Sequence, residues 1–155
     1  MGEISGKIAI VTGAGHGIGL AIVKALLREK VRVLATSRRL EALKDMEGKN
    51  LLLTPADLLD DNSFDRIVSD CVAAYGGVDI VINNAGYGKK MLLVDTSKEE
   101  WDLHMAINVR APFMLVNAAM PYLLESDYAT VINICSVVSH EGYPMQGAYS
   151  AAKHA

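Results

Sequence analysis

The stretch Lys7-Ile-Ala-Ile-Val-Thr12-Gly-Ala-Gly-His-Gly-Ile-Gly19 is the part of the sequence from which the fold is most directly predicted. Its apolar first half is typical of a buried strand, and the glycines that follow allow the backbone to turn tightly. Residues 18–30 then place apolar side chains on one stripe with helical period. A strand, a glycine turn and a helix in this order predict the start of a right-handed βαβ unit.

The rest of the chain repeats this alternation of short apolar runs and amphipathic stretches. We predict further strands at 31–36, 51–54, 78–83 and 129–135, and helices at 39–47, 62–75, 96–109, 111–124 and from 148 onward. Thr96-x-x-Glu99 is interpreted as a capping box that opens the helix at 96–109. The pattern predicts an α/β fold with a doubly wound, Rossmann-like parallel sheet covered by helices on both faces. Such sheets bind ligands beyond the carboxyl ends of their strands, so functional residues are expected there.

Composition and charge exclude several classes of protein. The 155 residues are 51% hydrophobic and 21% charged, which suits one domain with a sizeable core. A net charge of −3 provides no basic surface for nucleic acid. No apolar run approaches the ~18 residues needed to span a bilayer, so no membrane partner is expected. Cys71 and Cys135 lack metal-ligand spacing, so we expect two buried, reduced thiols and no metal site. Residues 1–7 lack the apolar segment of a secretory signal, so a cytoplasmic location is expected.

The glycine turn predicts a binding site for a dinucleotide. Glycines let the backbone approach a pyrophosphate, whose charge would meet the free N–H groups of the following helix. The strict G-x-G-x-x-G pattern is absent because Ile18 stands where it requires glycine, and T-G-x-x-x-G-x-G is present instead. An exposed loop position is an equally good interpretation of His16. The residues expected to contact the cofactor here are Gly13, Gly15, His16, Gly17, Ile18 and Gly19.

The end of the second predicted strand indicates which dinucleotide is bound. An acid at this place would bind the ribose hydroxyl of NAD, whereas an arginine accommodates the 2′-phosphate of NADP. Ser37-Arg38-Arg39 stands there, and a guanidinium binds phosphate oxygens in a bidentate manner. Glu41 is a competing acid, but it lies inside the predicted short helix. We therefore expect a preference for NADP(H), with NAD(H) possible. A solvated strand end is the alternative for Ser37 and Arg38, and Arg39 is either a supporting charge or simply exposed.

Tyr149 and Lys153 predict proton transfer. Four residues apart on a helix, their side chains lie one turn apart on one face. An ammonium beside a phenol favours the phenolate and would lower the pKa of the tyrosine, which could then act as a general acid or base. Such a pair arises often by chance, so its meaning depends on the motifs that precede it.

Five motifs follow one another in the sequence. They are the glycine turn, Asn83-Asn-Ala-Gly86, Asn108, Ser136 and Tyr149-x-x-x-Lys153. From about Gly6 to its last residue, the chain resembles the single-domain branch of the short-chain dehydrogenase/reductase family. The resemblance implies an oxidoreductase that transfers a hydride between a nicotinamide cofactor and a small carbonyl or alcohol substrate. It also implies a homo-oligomer, a tetramer or a dimer.

The resemblance implies roles for four catalytic residues. Tyr149 would be the general acid or base, and Lys153 would lower its pKa and hydrogen-bond the nicotinamide ribose. Ser136 would hydrogen-bond the substrate oxygen, although it could instead cap the end of a strand. Asn108 would hold a water that links Lys153 to solvent, although it could instead cap or kink a helix.

Two further segments are expected to contact the adenosine side of the cofactor. Asp57 and Leu58, after the third strand, resemble the site that binds the adenine amino group; Asp57 could instead be a turn residue or helix N-cap. Asn84, Ala85 and Gly86 resemble the turn that lies along the adenosine and braces the sheet. A purely structural turn is the alternative for these three.

The resemblance also implies that more chain follows. Single-domain members of the family have seven strands, so residues 1–155 are interpreted as an NAD(P)-binding Rossmann domain with five of them, cut shortly after the Tyr-x-x-x-Lys motif. We expect a recorded part or a deliberate fragment of a longer enzyme. The alternative is a catalytically incomplete module that binds a dinucleotide or another subunit. The substrate is not predicted.

Overall fold

The computed structural model describes residues 3–155. Its strands are β1 (Ile8–Thr12), β2 (Arg32–Ser37), β3 (Leu51–Pro55), β4 (Ile80–Asn83) and β5 (Thr130–Asn133). Its α-helices are α1 (Gly17–Arg28), α2 (Asn62–Tyr75), α3 (Lys98–Met105), α4 (Ala111–Glu125) and α5 (Gly147–His154). Short 3₁₀ turns lie at Glu41–Met46, Leu93–Asp95 and Val137–Ser139.

The strands form one parallel sheet in the order β3-β2-β1-β4-β5. One apolar cluster packs α2 and α4 on one face, and a second packs α1 and the 3₁₀ turn at Glu41–Met46 on the other. Every residue of β1 is buried, as expected for a central strand covered on both sides. The predicted α/β, Rossmann-like fold is therefore confirmed. Since the chain leaves β1 first towards β2 and later returns to β4, the topological switch point lies between β1 and β4.

Several element predictions were wrong in detail. The helix predicted at 39–47 is the 3₁₀ turn Glu41–Met46. The helices predicted at 96–109 and 111–124 form one continuous helical segment, because a π-helical turn at Ala106–Arg110 joins α3 to α4. No helix within residues 3–155 is long and apolar enough to cross a membrane.

The predicted capping box at Thr96 is also wrong. Ser97 is the N-cap of α3, and its side chain accepts a hydrogen bond from the Glu100 N–H. The Thr96 hydroxyl instead donates to the Leu92 carbonyl oxygen and so closes the preceding 3₁₀ turn. The Thr96 side chain is thus already bonded in the preceding turn, one residue before the N-cap of α3.

The two cysteines lie in different environments. Cys71 on α2 is 0% exposed, and burial raises the pKa of its thiol to about 12. Cys135 follows β5, the last strand of the sheet, and is exposed. The expectation of two buried thiols is therefore correct for Cys71 and wrong for Cys135, because the strand before Cys135 has a neighbour on one side only.

The two thiols should differ sharply in reactivity. At mildly alkaline pH the native chain should react rapidly with one equivalent of a disulfide reagent, because only Cys135 is accessible and only thiolates attack. A second equivalent should react after unfolding in guanidinium chloride. Cys135→Ser should remove the fast phase, and Cys71→Ala should leave it intact. Equal rates for both thiols in the native protein would contradict the burial of Cys71.

Candidate active site

The carboxyl ends of β1 and β4 are joined by side-chain hydrogen bonds at the switch point. The Asn84 amide donates to the carbonyl oxygens of Thr12, at 2.9 Å, and Gly13, at 3.2 Å. In return, the Thr12 hydroxyl oxygen accepts from the backbone N–H groups of Asn84 and Ala85, each at 3.0 Å. Asn84 and Ala85 thus brace the sheet at this edge, and their contact with a cofactor stays a prediction.

The glycine loop needs glycine for two different reasons. A Cβ atom at Gly19 would lie 2.3 Å from the Gly13 carbonyl oxygen, and one at Gly13 would lie 2.8 Å from the Ala85 Cα. At Gly17 a Cβ would meet no atom within 4 Å, but its φ of +54° lies in the left-handed region. The loop is therefore packed tightly against the end of β4 while remaining open on its outer side.

The first turn of α1 is open to a ligand. The N-cap residue His16 forms no side-chain cap, so the first N–H groups of the helix lack a side-chain acceptor at that position. Ile18 beside them is 62% exposed, and His16 is exposed as well. Uncapped N–H groups at a helix N-terminus fit the charge of a pyrophosphate.

The end of β2 lies directly against the glycine loop. A Cβ at Gly15 would lie 2.0 Å from the Arg39 carbonyl oxygen and 3.3 Å from the Ser37 hydroxyl oxygen. Arg38 and Arg39 are exposed, and neither forms a salt bridge with the other residues of the described range 3–155. Two unpaired guanidinium groups beside the loop fit a cofactor that carries an additional phosphate.

Asp57 adopts the geometry of a turn residue. Its Oδ1 accepts a hydrogen bond from the Leu59 N–H at 3.0 Å, and its carboxylate is exposed. Leu58 is half-buried and packs against the core cluster of α2 and α4. Asp57 is thus a turn residue, as the alternative interpretation expected. The predicted contact with an adenine amino group would use its other carboxylate oxygen, Oδ2.

Tyr149 and Lys153 lie on α5 beside the end of β5. The Lys153 ammonium donates to the Ile134 carbonyl oxygen at 2.9 Å and lies 6.0 Å from the centroid of the Tyr149 ring. Burial lowers the pKa of Lys153 below its usual value, because desolvation disfavours the charged form. The hydrogen bond to Ile134 therefore fixes a partly desolvated cation next to the tyrosine.

Asn108 lies in the π-helical turn and holds the loop that follows β4. Its amide donates to the carbonyl oxygens of Tyr87, at 2.8 Å, and His104, at 2.9 Å, while its Oδ1 accepts from the Tyr87 N–H at 3.2 Å. Both amide hydrogens are thus in use. A relay water would therefore have to bind the second lone pair of Oδ1 or the main-chain carbonyl.

Ser136 caps the turn at Val137–Ser139. Its Oγ accepts from the Val138 N–H at 3.4 Å, and its own N–H donates to the Ser139 hydroxyl oxygen at 3.1 Å. Helix α5 packs against this turn, which places Ser136 on the side of the sheet that carries Tyr149. The Ser136 hydroxyl acts as an acceptor here, so its hydrogen stays available for a substrate oxygen.

Sequence reasoning missed two residues of the site, Gly88 and His104. Gly88 lies against the Tyr149 ring, and His104 is completely buried between that ring and Tyr87. A signal was present for His104, since Glu100, His104 and Asn108 recur at intervals of four and so share one helix face. Gly88 carries no such signal, because its role depends on a tertiary contact.

Comparison with known proteins gives the family. A family model described as short chain dehydrogenase matches residues 7–155. The chain belongs to the short-chain dehydrogenase family. This short-chain dehydrogenase matches an uncharacterised oxidoreductase of Staphylococcus aureus (strain MW2), with 33% identity over 100% of this chain and 69% of the relative. One of Staphylococcus haemolyticus (strain JCSC1435) is 32% identical with the same coverage.

Solved structures show the same architecture. The crystal structure of a short-chain dehydrogenase from Streptomyces avermitilis has a TM-score of 0.89 and 32% identity, covering 96% of this chain and 57% of that one. The apo form of LigO from Sphingobium sp. strain SYK-6, at 24% identity and a TM-score of 0.90, shares the fold over 99% of this chain and 60% of its own. This short-chain dehydrogenase thus spans less than two thirds of both structures. Membership in the family identifies an oxidoreductase class that uses a nicotinamide cofactor, NAD(P).

The buried environment of Lys153 should appear in the pH dependence of stability. Its pKa is lowered in the folded chain from the usual 10.5. The desolvation penalty is therefore fully present below the folded pKa and disappears as the pH rises towards 10.5. We expect the free energy of unfolding of the wild type to rise relative to that of Lys153→Met across this window, as measured by urea unfolding. A constant difference from neutral pH to pH 10.5 would contradict this environment.

Proposed function

We propose that this protein is an NADP(H)-dependent oxidoreductase that transfers a hydride between the nicotinamide and a carbonyl or alcohol carbon, with Tyr149 as general acid or base. The observation that supports it most is the Lys153 ammonium, fixed by Ile134 at 6.0 Å from the Tyr149 ring centroid. This pair lies on the same edge of the sheet as the open glycine loop, so a cofactor in that loop would extend towards it.

Three side chains would manage the proton and the charge of the substrate oxygen. When bound, the nicotinamide supplies or accepts the hydride. In reduction, the Tyr149 hydroxyl gives its proton to the carbonyl oxygen; in oxidation, the phenolate takes the proton of the alcohol. Lys153 favours the phenolate electrostatically because its charge is held in place. The Ser136 hydroxyl donates to the same substrate oxygen and stabilises the charge that develops there.

The residues that would hold the cofactor divide into four groups along the sheet edge. The open first turn of α1 and the glycine loop would bind the pyrophosphate. Ser37, Arg38 and Arg39 would bind the 2′-phosphate. Lys153 would hydrogen-bond the nicotinamide ribose. The adenosine side would be lined by Asp57, Leu58, Asn84, Ala85 and Gly86.

The preference for NADP(H) can be tested by binding alone. Titration of the chain with NADPH and NADH, followed by cofactor fluorescence, should give the tighter binding for NADPH. Arg38→Gln should weaken NADPH binding by about tenfold or more, because a charge-assisted hydrogen bond contributes about 1.5–3 kcal/mol, and should leave NADH binding nearly unchanged. Arg28→Gln, at the exposed end of α1, is the matched control. Tighter binding of NADH by the wild type would overturn the preference.

The role of Tyr149 can be tested by removing one oxygen atom. Tyr149→Phe should reduce turnover of NADPH with a panel of ketones and aldehydes by about 10²–10⁴-fold and leave NADPH affinity within about twofold. Tyr143→Phe is the control, because the Tyr143 hydroxyl is exposed and donates only to Glu141. Retained activity in Tyr149→Phe would exclude this tyrosine as the acid.

A second candidate function is a catalytically incomplete module that binds a dinucleotide or a second copy of the chain. It is favoured by exposed apolar side chains on α4, where Phe113 is 69% and Leu124 is 80% exposed. These residues, eleven positions apart, lie on one face of the helix. We propose that this face and α5 form a homodimer or homotetramer. NADPH binding without turnover in the wild type would select this function, and light scattering at the mass of a single chain would exclude the oligomer.

We propose that the protein is cytoplasmic. The two unpaired cysteines of the described chain support this location, because thiols stay reduced there.

A further inference from the structure

The loop at residues 86–89 forms the surface on which the Tyr149 ring rests. A Cβ atom at Gly88 would lie 3.2 Å from both Cδ2 and Cε2 of that ring. A Cβ at Gly86 would lie 3.8 Å from the Lys153 ammonium. This loop therefore packs against the Tyr149 ring and passes near the Lys153 ammonium, and its position limits the space that the Tyr149 ring can occupy.

His104 ties the far end of this loop to α3, because one nitrogen of its ring bonds to the loop and the other bonds to the helix. Its Nδ1 lies 2.7 Å from the Glu100 carbonyl oxygen, and its Nε2 lies 3.3 Å from the Lys89 backbone nitrogen. A carbonyl oxygen only accepts, so Nδ1 must carry the hydrogen; a backbone N–H only donates, so Nε2 must be unprotonated. These bonds are both made only by the neutral Nδ1–H tautomer of the imidazole.

The same imidazole contacts two tyrosine rings edge to face. Its centroid lies 4.8 Å from that of Tyr87 at an interplanar angle of 63°, and 6.4 Å from that of Tyr149 at 62°. Both arrangements lie in the range of favourable aromatic pairs. His104 is 0% exposed, so the Tyr149 ring has a buried side chain as its neighbour on this side.

Other bonds tie the loop to the same helix face but do not reach Tyr149. Asn108 holds both backbone groups of Tyr87. On the outer side, the Tyr87 hydroxyl and the Lys89 ammonium both bond to the Glu100 carboxylate. The loop therefore has several attachments, and the loss of one hydrogen bond at His104 is expected to leave the chain folded.

We propose that His104 is a positioning residue, whose buried imidazole holds the backbone of Gly88 and Lys89 against the Tyr149 ring and so sets its hydroxyl relative to Lys153. The assignment rests on the proposed function, in which Tyr149 transfers the proton. Proton transfer depends steeply on the placement of the reacting groups, so a small release of the loop should slow it. Cofactor affinity should change little, because the glycine loop keeps its own bonds to Asn84.

Three substitutions at His104 separate packing from hydrogen bonding. His104→Phe keeps the ring and its edge contacts but accepts no hydrogen bond from Lys89. His104→Asn can keep the bond to the Glu100 carbonyl but is too short to reach the Lys89 N–H. His104→Gln can place an oxygen near the position of Nε2 and so restore the acceptor.

Gly88→Ala tests the ring contact from the other side. Its φ lies outside the left-handed region, so alanine adds a methyl group against the Tyr149 ring without backbone strain. Gly48→Ala is the matched control, because a Cβ there meets no atom within 4 Å and its φ is equally permissive.

The position of Tyr149 can be read without a substrate by ¹⁹F NMR of the full chain labelled with 3-fluorotyrosine. The Tyr149 resonance is the one that disappears in Tyr149→Phe. We expect it to shift or broaden in His104→Phe, His104→Asn and Gly88→Ala, and to stay near its wild-type place in His104→Gln and Gly48→Ala. The resonances of Tyr75, Tyr122, Tyr128 and Tyr143 should not move.

Turnover and cofactor binding complete the test. With NADPH and the ketone or aldehyde most rapidly reduced by the wild type, kcat should fall about tenfold in His104→Phe and recover in His104→Gln, while the NADPH Kd stays within about twofold. An unmoved Tyr149 resonance in both His104→Phe and Gly88→Ala would overturn the assignment, as would failure of all three His104 variants to fold. Absence of turnover in the wild type would count against the proposed function, and the NMR comparison would still decide the role of His104.

Discussion

The hydrogen bonds between Asn84 and the end of β1 are the constraint on which the rest of the site depends. The amide of Asn84 reaches both Thr12 and Gly13, at the point where parallel strands would otherwise leave an open crevice. Gly13 and Gly19 have to be glycine because this amide and the turn behind it occupy the space of a side chain. The shape of the cofactor loop is therefore set from β4 as much as from its own sequence.

The helical segment from α3 to α4 is the second element that fixes the geometry of the site. Glu100, His104 and Asn108 project from one face of it and bond to the loop that leaves the Asn84 turn. The π-helical turn around Asn108 inserts an extra residue without ending the helix, and such turns often lie at functional sites. The loop thus lies between this helix face and α5, with hydrogen bonds to the helix face and a packing contact with the Tyr149 ring.

The periodicity of the sequence correctly predicted those elements that are determined by residues close together in the chain. Helix α2 was predicted at 62–75, where it lies, because its apolar stripe is regular and Gly76 ends it in a left-handed conformation. The break predicted near Arg110 was wrong because Pro112 in the first turn of α4 mimics a helix start, whereas a π-helical turn has no such signature. The exposure of Cys135 and the role of His104 depend on neighbours distant in the chain, which periodicity does not indicate. The order of the five motifs along the chain correctly predicted the family. The chemical roles of their residues stay predictions.

The glycine loop and the loop at residues 86–89 are both attached to the turn at Asn84, and this has a consequence for the energetics of binding. The turn at Asn84 and Ala85 closes on the glycine loop on one side and continues on the other into the segment beneath Tyr149. A ligand that displaces the Asn84 turn itself is therefore expected to act on both segments, whereas release of the loop at Lys89 leaves that turn bonded to the glycine loop. Thermodynamic linkage requires such a coupling free energy to be reciprocal, so occupancy of the substrate side would change cofactor affinity by the same factor as the cofactor changes substrate affinity.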